Sequence, residues 1–371
     1  MAPAWSSDAV PLTAAALAAF LLSLGFSLAI VATRRWHGRI TFDDVDGVQK
    51  FHRDQIPRIG GLGIALAYLG AWPWIPDDLA RMWALVGLAG LPALAAGLAE
   101  DLTRRVGVRW RLFATMAAGI AFALATGYVM DEVSLFGVDW LLGFWIVALA
   151  FTGFAMGGVA NAVNIIDGFN GLAGGALVIM FGAFAFVAHR VGDPLVMGLA
   201  LVYAALVLGF LVVNFPFGKL FLGDGGAYFC GFLLASLGVL LPSRNPEVSA
   251  WAAILICGYP VIETLASMRR KARREGSHIG RPDRVHFHML AYRRYGRRLV
   301  RQDDRKHLRN PATSLVTWTM PLLTTALVAV SYDSAWLSAA FFFLTAFVYG
   351  QLYRVMSLNA PHLPLGLARL L

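Results

Sequence analysis

Charged residues are scarce in this 371-residue sequence: Asp, Glu, Lys and Arg make up only 14% of it, whereas 58% of its residues are hydrophobic. A typical soluble domain has about a quarter of its residues charged. The shortage of charge therefore indicates that lipid, rather than water, surrounds most of the chain. Apolar stretches of roughly 20 residues recur from end to end, and each is long enough to cross about 30 Å of hydrocarbon.

Cysteine and an N-terminal basic region are also lacking. The two cysteines, Cys230 and Cys257, both fall in apolar stretches, where we expect small buried hydrophobic residues and no disulfide framework. No Lys or Arg precedes the first apolar stretch, about 11–33, and Arg34 and Arg35 follow it. This charge order is typical of a retained membrane span rather than of a signal peptide, so we expect the first stretch to be a span.

Hydropathy, averaged over about 19 residues, predicts an all-α polytopic membrane protein with ten or eleven spans. Several spans are short or rich in glycine, so the count stays open between ten and eleven. No soluble domain or internal repeat is evident, and we expect residues 1–371 to form a single transmembrane domain. The predicted spans lie near 11–33, 59–75, 82–99, 112–130, 140–160, 175–190, 195–213, 226–242, 249–268, 313–331 and 335–354.

The positions of Lys and Arg predict how these spans are oriented. If the N-terminus is outside and the spans alternate, 28 of the 31 Lys and Arg residues lie on the inner side, and only Arg81, Arg190 and Arg244 lie outside. The positive-inside rule strongly favours this orientation. The inner segments are then 34–58, 100–111, 161–174, 214–225, 269–312 and the tail after 354.

The net charge of +9 comes from one of these inner segments. Residues 269–311 carry 15 Lys and Arg against four acids, whereas the rest of the chain has a balance of −2. A basic loop beside a membrane favours anionic lipid headgroups and phosphorylated substrates as partners. We therefore expect the lipid bilayer, and no nucleic acid, to account for the basic charge.

Polar motifs rich in Asn, Asp, His and Gly occur on the inner side and have no counterpart outside. This one-sidedness predicts an active site at the inner membrane boundary. The motifs are DGVQKFHRDQIPRIGG (46–61), AEDLTRRVGVRWR (99–111), NAVNIIDGFNGLAGG (161–175), NFPFGKLFLGDGGAYF (214–229) and RPDRVHFHMLAYRR (281–294).

The third motif places polar residues at a helical spacing. Asn161, Asn164 and Asp167 follow a three-residue step, which would put them on one face of a helix. Gly168 and Gly171 then allow the backbone to turn or to approach a ligand closely. The alternative is an ordinary helix end with a glycine cap.

Asp224, in the GDGG sequence, opens the eighth predicted span. Taken alone, it is more simply an N-cap residue of a helix. The functional alternative is a Mg²⁺ ligand together with Asp167, since Mg²⁺ often takes one or two carboxylates plus substrate phosphates. Gly225 and Gly226 would then leave room for a pyrophosphate.

Glu100 and Asp101 end the third predicted span. Two acids at a helix C-terminus oppose the helix dipole at a cost of roughly 0.3–1 kcal/mol each. We expect compensation either from Arg104 and Arg105 or from a bound cation, which would make the pair functional.

His286 and His288 lie in the basic loop. Their spacing, without a third His or Cys nearby, does not suit zinc, whereas imidazoles beside arginines suit contact with phosphate. The alternative is a solvated basic loop. Lys50 and Arg58 are similarly either phosphate contacts or plain positive-inside charges.

Taken together and in order, the five motifs resemble the polyprenyl-phosphate N-acetylhexosamine-1-phosphate transferase family, of the glycosyltransferase family 4 type. That family includes transferases that start O-antigen, enterobacterial common antigen and teichoic acid linkage units, and the phospho-MurNAc-pentapeptide translocase. The resemblance covers about residues 43 to 290. Each motif is weak alone, but five in order on one side of the membrane are specific.

The resemblance assigns roles residue by residue. Asp224 matches the metal-binding aspartate of a GD-x-G motif, with Asp167 as its partner at the metal. The substrate-binding residues implied by the K-x-H…IPR-x-GG, D-G-x-D-G and H-x-H-H motifs and their surroundings are Lys50, His52, Arg58, Asn170, Arg284, His286 and His288. The catalytic residues implied by the Asp-Asp and N-x-x-D-G motifs are Glu100, Asp101, Asn164 and Asp167.

Three positions depart from the family pattern. Glu100 replaces the first Asp of the Asp-Asp pair, Asn170 replaces the second acid of D-G-x-D-G, and Met289 replaces the last His of H-x-H-H. The HFHM sequence looks more like the hexosamine transferases than the muramyl-pentapeptide branch.

The implied reaction is Mg²⁺-dependent, with Mn²⁺ as a substitute, and takes place on the cytoplasmic face of a bacterial inner membrane. A polyprenyl phosphate such as undecaprenyl phosphate attacks a UDP-sugar, takes the hexosamine-1-phosphate and releases UMP. Asp101 or Asp167 could deprotonate the lipid phosphate, but its second pKa of about 6 means that a base is not obligatory. Direct attack and a covalent enzyme intermediate both stay open.

Two other functions compete with this one. A lipid or solute transporter would need ionisable residues in mid-membrane, and Glu263 is the one candidate. A transferase of the same fold could instead use UDP-MurNAc-pentapeptide. The sequence leaves the sugar and the glycan pathway open, and a homodimer is an expectation that it does not decide.

Overall fold

The computed structural model describes residues 9–43, 55–272, 285–301 and 305–357. These residues form sixteen α-helices and no β-strand, with one isolated β-bridge between Phe42 and Pro57. The predicted all-α class is confirmed. The helices are α1 (Ala9–Thr41), α2 (Gly60–Gly70), α3 (Asp77–Ala89), α4 (Leu91–Thr103), α5 (Val108–Thr126), α6 (Val138–Leu142), α7 (Trp145–Ile166), α8 (Leu172–Val191), α9 (Pro194–Asn214), α10 (Gly223–Arg244), α11 (Ala250–Ile256), α12 (Gly258–Ala272), α13 (Phe287–Leu299), α14 (Arg309–Thr317), α15 (Thr319–Val328) and α16 (Ala335–Ser357).

Seven of the described helices are long and apolar enough to cross a membrane. The number of spans rises to nine if each of two bent helix pairs is counted as one span. The protein is therefore a multi-pass membrane protein, with fewer spans by this measure than the ten or eleven expected. The predicted span 59–75 contains α2, whose 11 residues reach only about 16 Å. The predicted span 313–331 is divided between α14 and α15.

The two bent pairs have local causes in the sequence. Helices α3 and α4 meet at an angle of 45°, where Gly90 is followed by Leu91 and Pro92. Helices α11 and α12 meet at 79°, beside Cys257, Gly258 and Pro260. Proline lacks the N–H that continues a helical hydrogen-bond ladder, so breaks of this kind are expected beside it. Glycine adds no side chain that would hold the helix straight.

Helix α10 is the centre of the bundle and contacts α2, α4, α7 and α8. In its apolar stretch, 89% is buried inside the protein. Glycines allow this close packing. A Cβ on Gly61 would lie 2.1 Å from the backbone nitrogen of Gly226, and one on Gly97 would lie 2.5 Å from Cα of Gly225. Small residues let helix backbones approach closely in membranes.

The same packing corrects one expectation. Gly225 and Gly226 are buried against α2 and α4, so the prediction that they leave room for a pyrophosphate is wrong. The expected burial of Cys230 and Cys257 as unbridged residues is confirmed.

Replacing Gly61 by Ala is expected to destabilise the protein, because the added methyl group would meet the backbone of α10. Overpacking of this kind costs about 1–3 kcal/mol. The matched control is Gly182→Ala in α8, where no atom lies within 4 Å of the added Cβ. Thermal unfolding of both purified variants in detergent measures the difference, and equal midpoints would contradict the close contact of α2 with α10.

Candidate active site

The described parts of the five polar motifs meet at one end of the helix bundle. The N–H groups of Gly60 and Gly61 donate to the carbonyl groups of Phe221 and Leu222, each at 2.9 Å. These bonds join the second predicted span to the loop before α10. The third motif joins the same loop, because the Asn214 side-chain oxygen accepts a bond of 2.6 Å from the N–H of residue 171.

Asp101 caps the N-terminus of α10, although it lies on α4. Its Oδ1 accepts a hydrogen bond from the N–H of Asp224, and its Oδ2 accepts one from the N–H of Gly225, both at 2.9 Å. The residue is 0% exposed. A helix N-terminus leaves N–H groups without partners inside the helix, and its dipole favours a negative group there. The Asp101 carboxylate therefore satisfies the buried start of α10.

Arg58 balances the buried charge of Asp101. Its Nε and Nη2 lie 3.0 Å and 2.9 Å from Oδ1 of Asp101. The same guanidinium lies 3.5 Å from Asp43 and 4.0 Å from Asp224. Breaking a buried ion pair by removing one partner is costly, so Arg58 has a structural role in addition to any contact with substrate.

Asp224 is not the N-cap of α10. The N-cap residue is Leu222, and the capping carboxylate comes from Asp101. The Asp224 side chain instead reaches across the bundle end: its Oδ1 accepts a 2.9 Å bond from Nδ2 of Asn164, and its Oδ2 pairs with Arg111. The N-cap alternative for Asp224 is excluded, and its partly exposed carboxylate pairs with Asn164 and Arg111 at the site.

Arg111 is a site residue that sequence reasoning missed. It lies in the first turn of α5, directly after the short turn that follows α4, and its guanidinium contacts Asp224. Its Nε is buried without a hydrogen-bond partner among the described residues. The available signal was the position of Arg111 at the end of the second motif, ten residues after Asp101. Because an antiparallel helix pair joined by a short turn brings these positions together, that spacing places Arg111 at the site.

Asp167 follows the last residue of α7 and is half-buried. Burial, followed by the negative charges of Asp224 and Asp101, raises the pKa of Asp167 to about 8. Carboxylates that share one site resist simultaneous ionisation. The end of the bundle is therefore crowded with negative charge that Arg58 and Arg111 only partly offset.

Asn161 does not share the environment of Asn164 and Asp167. Its side-chain amide donates to Oγ1 of Thr115 and to the carbonyl of Gly157, both at 2.8 Å. Asn161 therefore ties α7 to α5. The predicted polar face is reduced to Asn164 and Asp167.

The carboxylates of Glu100 and Asp101 have separate partners in this structure, and their expected action as a functional pair stays a prediction. Oε2 of Glu100 accepts a 2.8 Å bond from the N–H of Val106 and closes the turn after α4. The expected compensation of Asp101 by Arg104 or Arg105 is corrected, because the cation paired with Asp101 is Arg58.

His286 and His288 are buried at the start of α13, with exposures of 7% and 1%. The alternative that these two histidines are solvated side chains of a basic loop is therefore wrong. A Cβ on Gly168 would lie 2.4 Å from Nε2 of His288, so the histidine rests directly on the turn after α7. Burial lowers the pKa of His288 to about 3, which makes it neutral and unable to bring positive charge to a phosphate.

Asn170 links loops in this structure. Its N–H donates to Oδ1 of Asn310 at 2.8 Å, and its side-chain amide donates to the carbonyl of Pro216 at 3.1 Å. Its predicted contact with substrate stays a prediction. Three further predicted substrate-binding residues lie outside the described residues: Lys50, His52 and Arg284.

Comparison with known proteins matches residues 83–241 to the family model for glycosyl transferase family 4. A probable undecaprenyl-phosphate N-acetylglucosaminyl 1-phosphate transferase of Bacillus subtilis is 30% identical over 284 residues, which are 73% of this chain and 75% of that protein. The undecaprenyl-phosphate alpha-N-acetylglucosaminyl 1-phosphate transferase of Escherichia coli is 23% identical over 339 residues, 87% of each chain. A phospho-N-acetylmuramoyl-pentapeptide-transferase of Geobacillus kaustophilus is 30% identical over 247 residues, 62% of this chain and 74% of that protein. These matches confirm the resemblance, and the chain belongs to glycosyl transferase family 4.

Proposed function

We propose that this protein transfers an N-acetylhexosamine-1-phosphate from a UDP-sugar to a polyprenyl phosphate and releases UMP. The observation that carries the proposal is the position of the Asp224 carboxylate. Asp101, not Asp224, caps α10, and the Asp224 carboxylate contacts Asn164 and Arg111. The relatives' names support the same reaction class: the Bacillus subtilis protein is a probable undecaprenyl-phosphate N-acetylglucosaminyl 1-phosphate transferase.

The charges of the site suit the transfer of a phosphoryl group. Donor diphosphate and lipid phosphate repel each other, and the transition state spreads negative charge over phosphate oxygens. Arg58 and Arg111 place two guanidinium groups beside Asp224. Preorganised cationic donors of this kind stabilise developing charge without reorganising at the moment of reaction.

The proposal includes a divalent cation, Mg²⁺ or Mn²⁺, held by Asp224 and Asp167. The donor set fits a hard cation, since Asp224 and Asp167 both offer carboxylate oxygens, which are the ligands that Mg²⁺ takes in proteins together with substrate phosphates. Among the described residues no group of three or more His, Cys, Asp or Glu side chains is arranged to hold a metal. Oxygens of the substrate phosphates would therefore complete the coordination. When bound, the ion would neutralise negative charge on the substrate phosphates.

The sequence left Asp101 and Asp167 open as the base that deprotonates the lipid phosphate, and we now favour one of them. Both oxygens of Asp101 accept backbone N–H bonds and one also pairs with Arg58, so Asp101 holds the site in place. Asp167 is the remaining candidate base. Because the second pKa of a phosphate monoester is about 6, the acceptor is largely dianionic at neutral pH and can attack without a base.

We place the active site on the cytoplasmic side of a bacterial inner membrane. The support is the charge distribution, in which 28 of 31 Lys and Arg residues share the side of the polar motifs when the N-terminus is outside. A site at this boundary can be reached by a water-soluble donor and by a lipid acceptor. The single domain, the homodimer and the absence of a nucleic-acid partner stay predictions.

The direct test incubates the purified protein with undecaprenyl phosphate, Mg²⁺ and single UDP-sugars, and measures UMP. We expect UMP with a UDP-N-acetylhexosamine and none without the lipid phosphate. UMP with UDP-MurNAc-pentapeptide alone would assign the alternative substrate. No UMP with any donor would contradict the proposal and favour a transporter.

Asp224→Asn is expected to lower kcat by about 100-fold or more, since removal of one preorganised charge-stabilising group typically costs that much. The matched control is Asp78→Asn, because Asp78 is exposed in the first turn of α3. Removing divalent ions from the wild-type protein with EDTA should abolish turnover, and added Mg²⁺ should restore it. Full activity of Asp224→Asn, or turnover that EDTA does not change, would count against the assigned cation site.

Asp101→Asn separates a positioning role from a base role. The amide cannot accept bonds from both capped N–H groups, so we expect a similar loss of kcat at every pH between 6 and 9. The measurement is kcat against pH, with thermal unfolding as a check on folding. Loss confined to low pH, with near-normal turnover at pH 8, would instead indicate that Asp101 deprotonates the acceptor.

A further inference from the structure

Glu263 is the one acidic residue in the bent pair α11 and α12, and it is 0% exposed. Four groups surround its carboxylate. Oε1 lies 2.9 Å from Nδ1 of His286 and 3.3 Å from Nη2 of Arg270. Oε2 accepts bonds from the N–H of Phe287 at 3.2 Å and from the hydroxyl of Tyr349 at 2.6 Å. A carboxylate that is fully engaged in this way does not resemble a mid-membrane relay of a transporter.

These bonds tie Glu263 to the beginning of α13. Phe287 is the first residue of that helix, and His286 is its N-cap residue. The His286 side chain makes no capping bond of its own to the helix. A carboxylate from α12 therefore satisfies the first N–H of α13 and benefits from the helix dipole.

The first turn of α13 rests on the turn that follows α7. The ring of His288 is stacked with that of His286 at 5.6 Å between centroids, and it meets Phe169 edge to face at 5.0 Å. Nε2 of His288 fills the space where Gly168 has no side chain. The same turn contains Asp167, so the position of α13 and the position of this carboxylate are coupled.

We propose that Glu263 is a positioning residue for the transfer reaction. It holds the first turn of α13 against the turn at residues 167–169 and fixes the ring of His286, without touching a substrate. A bond from Nδ1–H of His286 to Glu263 sets the tautomer and leaves Nε2 as the nitrogen that can face a phosphate oxygen. The inference rests on the proposed function, because only that function makes the turn at residues 167–169 part of a reaction site.

A purely structural role is the competing explanation, since Glu263 also joins α12 to α16 through Tyr349. The chain offers a matched control. Tyr349→Phe removes one bond to the same carboxylate and leaves the contacts of Glu263 with His286 and Phe287 in place. If Glu263 only held helices together, Tyr349→Phe and Glu263→Gln would lower kcat by similar amounts.

The experiment compares Glu263→Gln, His286→Gln, the double variant and Tyr349→Phe in the UMP release assay. Glu263→Gln is expected to lower kcat by about tenfold or more with little change in the donor KM, because a buried bond to a charged group is lost. Tyr349→Phe should stay within about fivefold of wild type. The double variant should be no slower than the slower single variant, because residues that act through one another are not additive.

Several results would overturn the proposal. These are unchanged kcat in Glu263→Gln or in His286→Gln, equal losses in Glu263→Gln and Tyr349→Phe, or a double variant whose loss is the product of the single losses. If Glu263→Gln does not fold, as judged by size exclusion and thermal unfolding, the activity of His286→Gln still decides: full kcat overturns the proposal, and a loss of tenfold or more with intact folding supports it.

Failure of the proposed function gives a different pattern. If the wild-type protein releases no UMP with any donor, the function falls, and hydrogen exchange tests Glu263 by itself. Faster exchange of the amides at residues 287–290 in Glu263→Gln than in Tyr349→Phe supports the cap on α13. Equal exchange in the two variants overturns it.

Discussion

The buried N-terminus of α10 is the constraint on which the site depends. A helix that begins inside a protein must find acceptors for its first N–H groups, because an unpaired buried donor costs about 1–3 kcal/mol. Asp101 supplies both acceptor atoms from α4, and Arg58 supplies the charge that makes a buried Asp101 tolerable. As a result, Asp224 is released from the capping role that its sequence position suggests and can face Asn164 and Arg111.

The same solution occurs a second time at α13, where Glu263 on α12 accepts the first N–H of the helix. In both places a buried acid on one helix fixes the start of another helix whose first turn carries a candidate site residue, Asp224 or His288. Two buried acids, Asp101 and Glu263, are thereby used at helix N-termini, where backbone dipoles and nearby cations stabilise them. This arrangement accounts for Glu263 without a path for transported ions.

Much of the fold could be predicted, because hydropathy and the one-sided polar motifs report directly on the membrane. The helical class and the meeting of the motifs follow from those patterns. The caps could not be predicted: Asp101 and Gly225 are 124 positions apart, and Arg111 and Asp224 are 113 apart. Rules for helix caps use only neighbouring residues, so they favoured Asp224 as the N-cap residue of α10.

The histidines show a second reason why the sequence was insufficient. Arg-rich surroundings suggested contact with phosphate, with a solvated loop as the alternative, but His288 packs on Gly168 and Phe169 and is 1% exposed. A glycine without a side chain and a distant helix together create that pocket, and no local pattern records it. The bends between α3 and α4 and between α11 and α12 were likewise hidden, since averaged hydropathy does not detect a change of direction.

Anomalous scattering from Mn²⁺ in crystals of the protein with UDP would test the central claim most directly. The account predicts one peak at coordination distance, about 2.1 Å, from carboxylate oxygens of Asp224 and Asp167, with the Asp101 cap on α10 retained. A peak bound elsewhere, or an Asp224 carboxylate that takes over the cap of α10, would contradict it.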